Sequence, residues 1–353
     1  MNYPINMKII NTFHKLFLLL FVMKGFYVYL LVRCKIKAKG SVYFNTKPDR
    51  LCIEISQSDI SQKESTECLY ILSKLLHNKT INSYDKTRNG LGICAFGRKA
   101  VLGFDLFLLG NIVYPALCAG IFVEEYDNDF FLITINDKFK FIIRKKNKSD
   151  ILLLKDIFIY KEYDKYLPDL QDKVVLDIGG YIGDTAIYFS HLGASSVYVY
   201  EPHPALYKMM NKNIELNNRQ NIKTNNCGVS GADSIIPIKE KRSCNGPTAV
   251  FGLELPKNNQ GKTVEIKAFS LEKIIDNIGE IDLLKMDCEG YEFPALLSCN
   301  RIHLEKIKKM VVEYHGNPEK IVKHLENSGF VVKFEKTGST IEGDVGILTA
   351  SLV

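Results

Sequence analysis

The chain has 353 residues, 46% of them apolar, so it is long enough for two ordinary domains and can bury a substantial core. Its nine cysteines include no C-x-x-C pair, which excludes a zinc or dithiol motif of that kind and favours a reducing compartment. Because the net charge is +6 and eight basic residues precede Asp49 without any acid, the remaining chain totals −2 and is not expected to attract nucleic acid.

The first 48 residues (1–48) are predicted to form a basic, apolar arm. Leu16 to Val32 is the most apolar stretch of the sequence and is interrupted at Lys24 and Gly25. Three interpretations stay open for this stretch. It is a helix that docks on a membrane or on the protein, a single membrane span in which the lysine costs roughly 2.5–3.5 kcal/mol, or, least favoured, a cleaved signal peptide. Residues 8–40 are therefore the candidate membrane contact, and the expected location is cytoplasmic, with the cytoplasmic face of a membrane as the place of any such contact.

Residues 49–150 are predicted to form an accessory α+β region. The apolar spacing from Lys63 to His77 predicts a helix with one buried face, and the glycines that follow indicate turns and short strands. The segments Phe130–Ile135 and Phe139–Arg144 are predicted to pair as a hairpin. A helix over Asp150 to Tyr160 is expected to lead into the next domain.

Residues 151–353 are predicted to form the catalytic domain, because strand and helix signals alternate regularly there. The apolar run from Val174 to Ile178 ends in a glycine pair, which is typical of a buried parallel strand before a helix. Extra strands are expected between Ser234 and Phe269, and a final hairpin joins Val331–Glu335 to Val345–Ala350. Repeated β-α-β units with these additions predict an α/β fold with a doubly wound sheet.

A glycine-rich turn follows the first strand of this domain. Three glycines at a strand-to-helix turn let the backbone approach a ligand closely, and an acid about twenty residues further on can bind both hydroxyls of a ribose. Here the glycines are Gly179, Gly180 and Gly183, and the acid is Glu201. The pattern predicts a site for a nucleoside cofactor.

Acids around the same turn indicate which cofactor. Asp177 closes the strand and Asp184 opens the helix, so negative charge lies where a diphosphate would otherwise bind. S-adenosylmethionine has no phosphate and carries an ammonium and a sulfonium, which these acids suit. A nicotinamide dehydrogenase is disfavoured, since its motif needs a glycine where Ile178 stands.

Two motifs also carry a family resemblance. They are Asp177-Ile-Gly-Gly-Tyr-Ile-Gly-Asp-Thr185 with the later pair Glu201-Pro202, and Leu283-Leu-Lys-Met-Asp-Cys-Glu-Gly-Tyr-Glu292. In this order and spacing they resemble the signature motifs of the FkbM family of S-adenosylmethionine-dependent methyltransferases, and the resemblance covers about Ile151 to Leu352. It implies a Rossmann-like, class I methyltransferase sheet whose final antiparallel strand is inserted next to the edge. The chain departs from the family at Gly180-Tyr181, where Gly-Ala-Asn or a similar sequence is usual.

The resemblance implies a cofactor site built from the loops that follow the strands. Asp177 would organise the glycine loop or meet the ammonium of the cofactor, and Glu201 would bind the ribose. Asn226 and Cys227 are expected beside the adenine, with a plain turn as the alternative. The expected cofactor-binding residues are Asp177, Gly179, Gly180, Gly183, Glu201, Asn226, Cys227 and Asp287.

The expected catalytic residues are Glu289, His315 and Lys285. Lys285 and Asp287 share a strand face by the two-residue period, so an ion pair between them is predicted. Asp287 is also a candidate N-cap for a helix starting at Glu289. Glu289 is interpreted as a proton acceptor or as an acid that balances the helix dipole, and His315 as a base or a structural histidine. The other histidines have no acid or cysteine at metal-ligand spacing, so no metal site is predicted.

These observations predict a methyltransferase that uses S-adenosylmethionine and modifies a hydroxyl of a sugar, glycolipid or secondary metabolite. The expected partner is a small-molecule acceptor or one linked to a glycan or lipid. The alternative is a catalytically silent scaffold that recruits partners to a membrane through its basic arm.

Overall fold

The computed structural model describes residues 112–353 apart from 146, 244–245, 251–261 and 341–342; before residue 112 it describes only six short strand segments. The chain divides into two compact units, Met1–Ile151 and Leu152–Val353. The predicted helix from Lys63 to His77 lies outside the described residues. Within the described residues, no helix is long and apolar enough to cross a membrane.

The described residues of the first unit include three antiparallel sheets of three strands each and, before α2 begins, one short helix. The first two sheets are β1 (Met23–Lys24), β2 (Lys39–Phe44) and β3 (Leu51–Ser56), and β4 (Ser83–Thr87), β5 (Gly90–Ala95) and β6 (Arg98–Leu102). After α1 (Tyr114–Cys118), the third sheet is β7 (Ile121–Glu125), β8 (Phe130–Ile135) and β9 (Phe139–Arg144). The predicted hairpin is confirmed residue for residue. Asn136 and Asp137, at φ 51° and 54°, supply the left-handed pair that a tight hairpin turn needs.

The helix expected over Leu16 to Val32 in the N-terminal arm is not continuous. Most of the stretch from Leu16 to Val32 lies outside the described residues, but Met23 and Lys24 form β1 and pair with Phe44 and Tyr43 of β2. An unbroken helix over this stretch is therefore not formed. The physical reason is visible in the sequence, because the apolar run is interrupted by Lys24-Gly25 and glycine weakens a helix by about 1 kcal/mol relative to alanine.

The second unit alternates strands and helices as predicted, beginning after α2 (Lys148–Phe158). Its first half contains β10 (Val174–Ile178), α3 (Asp184–His191), β11 (Ser196–Tyr200), α4 (Pro204–Leu216) and β12 (Ile222–Asn225). Its second half contains α5 (Leu271–Ile278), β17 (Ile281–Met286), α6 (Glu292–Ser298), α7 (Arg301–Leu304), β18 (Ile307–His315), α8 (Glu319–Asn327), β19 (Phe330–Thr340) and β20 (Gly343–Leu352). Between the halves lie four strands of a separate sheet, β13 (Gly228–Ser230), β14 (Ser234–Ser243), β15 (Gly246–Val250) and β16 (Lys262–Ser270), which confirms the predicted insertion.

The central sheet has seven strands in the order β12-β11-β10-β17-β18-β20-β19. The first five are parallel, and β20 runs antiparallel between β18 and β19. The expected Rossmann-like α/β fold, including the inserted antiparallel strand, is confirmed. Strand order reverses between β10 and β17, and open sheets of this kind bind ligands at the carboxyl ends of the strands beside that point.

Strands β10 and β17, near the middle of the sheet, consist mainly of apolar residues and are almost fully buried, as parallel strands covered on both faces must be. Their register sets Asp177 of β10 directly beside Lys285 of β17. One ladder step further on, the backbone N–H of Asp287 donates to the carbonyl of Ile178 at 3.0 Å. The register of β10 against β17 thus places an aspartate and a lysine side by side in the core, next to the glycine turn.

Candidate functional site

The glycine turn after β10 is packed against the neighbouring strand ends. Gly179 and Gly180 both donate their backbone N–H to the carbonyl of Tyr200, at 3.0 and 3.1 Å. A Cβ on Gly179, which has φ +85°, would lie 1.7 Å from the carbonyl oxygen of Asp287. Gly183, at φ +88°, is the residue before the first turn of α3. Glycine is therefore required by contact at the first position and by backbone conformation at both ends of the turn.

Asp177 and Lys285 form a buried ion pair beneath this turn. The distance from Lys285 Nζ to Asp177 Oδ1 is 3.4 Å, and their side chains are 4% and 0% exposed. Lys285 also donates to the carbonyl of Gly179 at 3.0 Å, while Thr185 Oγ1 donates to Asp177 Oδ2 at 2.6 Å. Burial by itself lowers the pKa of Lys285, but the charge of Asp177 raises that pKa well above its usual value. Both side chains therefore hold the loop in place.

The predicted ion pair between Lys285 and Asp287 is wrong. Lys285 pairs with Asp177 instead, because β17 ends at Met286 and the side chain of Asp287 no longer follows the strand alternation. Asp177 is completely buried, and it contacts Thr185 of α3 and Lys285, which in turn donates to the loop carbonyl of Gly179. This arrangement favours the loop-organising alternative over direct contact with an ammonium. Lys285 is likewise a positioning residue, since its nitrogen is committed to Asp177 and Gly179.

Glu201 is a buried carboxylate at the end of β11 and is only 4% exposed. Its Oε2 accepts the backbone N–H of Tyr181 in the glycine turn at 2.9 Å, and its Oε1 accepts that of His203 at 2.8 Å. Burial raises the pKa of Glu201 to about 8, against the opposing effect of these two N–H groups. Asp184 behaves similarly, since burial raises its pKa to about 7. The turn is thus lined by carboxyl groups that a cationic ligand would favour in the ionised form.

Asn226 and Cys227 lie beyond β12 and differ in their surroundings. Asn226 donates its side-chain amide to the carbonyls of Glu201 and Pro202, at 2.9 and 3.1 Å, and so ties its loop to the end of β11. The thiol of Cys227 packs within the apolar core, where burial raises its pKa to about 11. Asn226 therefore presents a polar group at this edge of the sheet, whereas Cys227 supports it from inside.

The loop after β17 is organised by Glu292, a residue that the sequence analysis did not single out. Glu292 is completely buried, and its two carboxylate oxygens accept the backbone N–H groups of Cys288 and Gly290 at 2.7 and 2.8 Å. The expected helix start at Glu289 is wrong, and with it the N-cap role of Asp287. Glu289 and Gly290 are left-handed, at φ 55° and 101°, so α6 begins only at Glu292.

His315, at the end of β18, lies between two acids of this loop. Its Nδ1 is 3.5 Å from Glu292 Oε1, and its Nε2 is 3.6 Å from Glu289 Oε2. Burial alone would lower the pKa of His315, but the carboxylates of Glu292 and Glu289 and the nearby Asp287 raise that pKa to about 9. At neutral pH the ring is protonated, so it is not a free base in this arrangement. Glu289, whose side chain is 60% exposed, is the accessible acid of the group.

Two further groups at this edge were missed by the sequence analysis. Glu313 of β18 is a partly buried acid whose pKa is raised to about 7, first by burial and then by the charge of Asp287. Burial raises the pKa of Tyr163 as well. The charge of Lys285 lowers this pKa, and the charges of Asp287 and Glu313 raise it. Glu313 could have been found from the alternation in β18. Tyr163 could not, because no local pattern connects it with strands more than a hundred residues away.

A set of possible metal ligands also appears at the same edge. One ligand atom from each of Asp287, Glu292 and His315 lies within 4.8 Å of the others. The prediction of no metal site rested on the spacing around the other histidines and did not take His315 into account.

The sequence of this chain is similar to those of known methyltransferases. Residues 177–335 match the family model described as the methyltransferase FkbM domain. "Methyltransferase 1" of Beauveria bassiana (strain ARSEF 2860) is 26% identical over 228 residues, which cover 58% of this chain and 90% of that protein. "Methyltransferase sdnD" of Sordaria araneosa is 25% identical over 210 residues, which cover 49% of this chain and 81% of that protein. Among solved structures, M. jannaschii TYW2 in complex with AdoMet aligns at a TM-score of 0.35 and 13% identity, over 65% of this chain and 88% of that chain.

Proposed function

We propose that this chain, whose residues 177–335 match the model of the methyltransferase FkbM domain, transfers a methyl group from S-adenosylmethionine to a hydroxyl oxygen of a sugar, glycolipid or secondary metabolite. The observation that carries the proposal is Glu201. Its carboxylate is buried at the carboxyl end of β11 and bonded to the backbone of the glycine turn, where an acid can hold a ribose. The family match gives the methyl-transfer reaction, and this geometry supports the cofactor.

The charges around the turn fit this cofactor. Asp177, Asp184 and Glu201 are all buried there, and Lys285 is paired with Asp177. The raised pKa values of Glu201 and Asp184 mean that a bound cation would favour their ionised forms, whereas a diphosphate would oppose ionisation. The turn therefore suits a nucleoside that carries positive charge. When bound, S-adenosylmethionine supplies a methyl group on a sulfonium, which an oxygen nucleophile can take as the neutral thioether S-adenosylhomocysteine leaves.

Different residues around the turn would bind different parts of the cofactor. Glu201 would accept hydrogen bonds from the ribose hydroxyls with the lone pairs that the backbone N–H groups leave free. Asn226 would offer its side-chain carbonyl oxygen to the base, since its NH2 group already donates to the carbonyls of Glu201 and Pro202. Gly179, Gly180 and Gly183 keep the backbone close to the ligand. Lys285 and Asp177 hold this loop rigid, and that rigidity supplies the proximity on which transfer to an oxygen depends.

The acids after β17 and β18 would serve the acceptor. As the new bond to oxygen forms, the acceptor hydroxyl must lose its proton. Glu289 is an exposed carboxylate at the strand ends and is the side chain we assign as proton acceptor. The protonated ring of His315 beside it would hold Glu289 in its ionised form. Asp287 stands between this group and the glycine turn, where it would orient either substrate.

The decisive experiment is incubation of the purified full chain with S-adenosylmethionine labelled in the methyl group and an extract of the host, followed by identification of the labelled product. A labelled ether of a hydroxylated small molecule or glycolipid is expected. Glu201→Gln should weaken cofactor binding measured by calorimetry, whereas Glu215→Gln, on an exposed position of α4, should bind as the natural chain does. Undiminished affinity after Glu201→Gln would refute the site, and label on nitrogen would refute the acceptor class.

For the arm of residues 1–48 the proposal is contact with an anionic membrane surface on the cytoplasmic side, which its eight basic residues support. Fractionation of cells that express the chain with and without the arm tests this. Membrane recovery that does not depend on the arm would contradict it.

A further inference from the structure

We propose that Asp287, Glu292 and His315 bind a divalent first-row transition cation such as Mn²⁺ or Zn²⁺. The three residues come from the end of β17, the start of α6 and the end of β18, so the fold assembles them at the carboxyl edge of the sheet. Binding of the cation does not depend on the methyl-transfer reaction. Its use in that reaction rests on the proposed function.

The spacing of the ligand atoms suits one cation. A carboxylate oxygen or imidazole nitrogen lies about 2.0–2.2 Å from a bound zinc ion, so two ligands of the same ion are roughly 3–4 Å apart. The distance from His315 Nδ1 to Glu292 Oε1 is 3.5 Å, and one oxygen of Asp287 completes a set whose members all lie within 4.8 Å. Only small side-chain rotations are needed to bring the three atoms onto one ion.

Two of the ligands are held in place before any ion binds. Glu292 is completely buried and bonded to the N–H groups of Cys288 and Gly290, and Asp287 is fixed through its own N–H to Ile178. His315 provides a second, independent indication. Its buried Nδ1 makes no hydrogen bond but faces the carboxylate of Glu292 at ion-pair distance, 3.5 Å, so a divalent cation can take the place of the ring proton there.

The electrostatic surroundings favour a cation. Glu289 and Glu313 add negative charge next to the three ligands, while Lys285 is already engaged by Asp177. His303 offers a contrast, because it also lies beside two acids, Glu272 and Asp276.

At His303 the surroundings differ in two ways. The lysine Lys306 lies 2.9 Å from Asp276 and neutralises that acid, and the site is on the surface. A cation would therefore bind less favourably at His303 than at His315. His303 is accordingly a matched control for His315.

The mixed ligand set selects the class of ion. Oxygen-only sites suit Mg²⁺ and Ca²⁺, whereas an imidazole nitrogen beside carboxylates favours first-row transition ions. Three protein ligands leave at least one coordination position open, as catalytic metal sites do. If the proposed function holds, an acceptor hydroxyl could occupy that position and lose its proton more readily to Glu289.

Titration of the metal-stripped full chain with Mn²⁺, followed by electron paramagnetic resonance and by calorimetry, tests the inference. One saturable Mn²⁺ site is expected, from which Zn²⁺ displaces Mn²⁺. His315→Asn and Asp287→Asn should each weaken Mn²⁺ binding at least tenfold, whereas His303→Asn should not change it. Asp287 is only partly buried, so its variant keeps the test valid if His315→Asn fails to fold.

Three results would overturn the inference: no saturable Mn²⁺ site, a site that survives both ligand changes, or preference for Mg²⁺ over Mn²⁺. A methyl-transfer assay on the same samples separates the two proposals. Saturable Mn²⁺ binding without methyl transfer would refute the proposed function alone. Transfer that persists with a chelator in a chain that binds no Mn²⁺ would refute the cation site alone.

Discussion

The two halves of the sheet edge are built differently. On the half proposed to bind the cofactor, called the cofactor half, Asp177 and Glu201 are almost completely buried. The carboxylate of Asp177 accepts a hydrogen bond from Thr185 in α3, and that of Glu201 accepts two backbone N–H groups. On the acceptor half, Glu289 is 60% exposed and contacts His315 at 3.6 Å, too far for a good hydrogen bond. The sheet edge thus has buried, paired charges on one half and an exposed acid, Glu289, on the other.

This difference predicts where stability and function are coupled. Removing a buried group from the cofactor half leaves its partners unsatisfied in a medium of low dielectric constant, so folding and binding should fail together. Removing an exposed acid from the acceptor half leaves nothing buried behind, so turnover can change while the fold is unaffected. Three variants and one pH dependence test whether stability and function separate in this way.

The largest effect is expected for Gly179→Ala. The added carbon would lie 1.7 Å from the carbonyl of Asp287, at a residue with φ +85°, and backbone cannot move away cheaply. We expect a loss of more than about 5 kcal/mol in unfolding free energy, or no folded domain, by urea denaturation. The control is Gly279→Ala, at φ +89° with nothing within 4 Å of the new carbon, which should cost only about 1–3 kcal/mol of backbone strain. Equal costs for the two variants would show that the turn is not packed as described.

Lys285→Met should be the next most damaging change. It would leave the carboxylate of Asp177 buried without its cation, and breaking a buried ion pair from one side typically costs about 3–5 kcal/mol. Urea denaturation of Lys285→Met and of the double variant with Asp177→Asn measures this. The double variant should recover part of the loss, because a neutral amide no longer needs the lysine. A double variant that is less stable by the full sum of both single changes would contradict the pairing.

The ion pair also shows what sequence can and cannot predict. The strands, the inserted sheet and the antiparallel strand next to the edge followed from apolar periodicity, turn residues and the family motifs. The partner of Lys285 did not, since it depends on the register between β10 and β17, which are separated by more than a hundred residues. Local alternation pointed instead to Asp287, only two residues away.

The loop after β17 was mispredicted for a related reason. A helix start was expected at Glu289, with Asp287 as its N-cap. The left-handed conformations of Glu289 and Gly290 delay α6 by one turn, and Glu292 then folds back onto the N–H groups of the loop. Tight turns of this kind are decided by contacts of the whole loop, so the set formed with His315 became visible only in three dimensions.

Glu289→Gln should affect turnover without affecting stability. If this carboxylate accepts the proton of the acceptor hydroxyl, the amide should lower kcat about 100-fold, within the usual range for a general base. Cofactor affinity and the urea midpoint should stay unchanged because the side chain is exposed. The matched control is Glu319→Gln, an exposed acid in the first turn of α8, which should keep full activity. Normal kcat in Glu289→Gln would remove the proton-acceptor role from this residue.

The smallest effect is a pH dependence of cofactor binding that comes from Glu201. Burial raises the pKa of this carboxyl to about 8, so its stabilising contribution to the cofactor-free fold is complete below about pH 4.5 and is lost as the pH rises toward 8. Ribose hydroxyls donate to the ionised form, so affinity for S-adenosylmethionine should rise about tenfold from pH 7 to 9 and level off above the pKa. Calorimetry across this range should show the rise in the natural chain and not in Glu201→Gln. Asp184, with a pKa of about 7, would leave a residual dependence at lower pH in both proteins. A flat profile in the natural chain would mean that Glu201 does not change its ionisation when the cofactor binds, and the cofactor half would then lose its most specific contact.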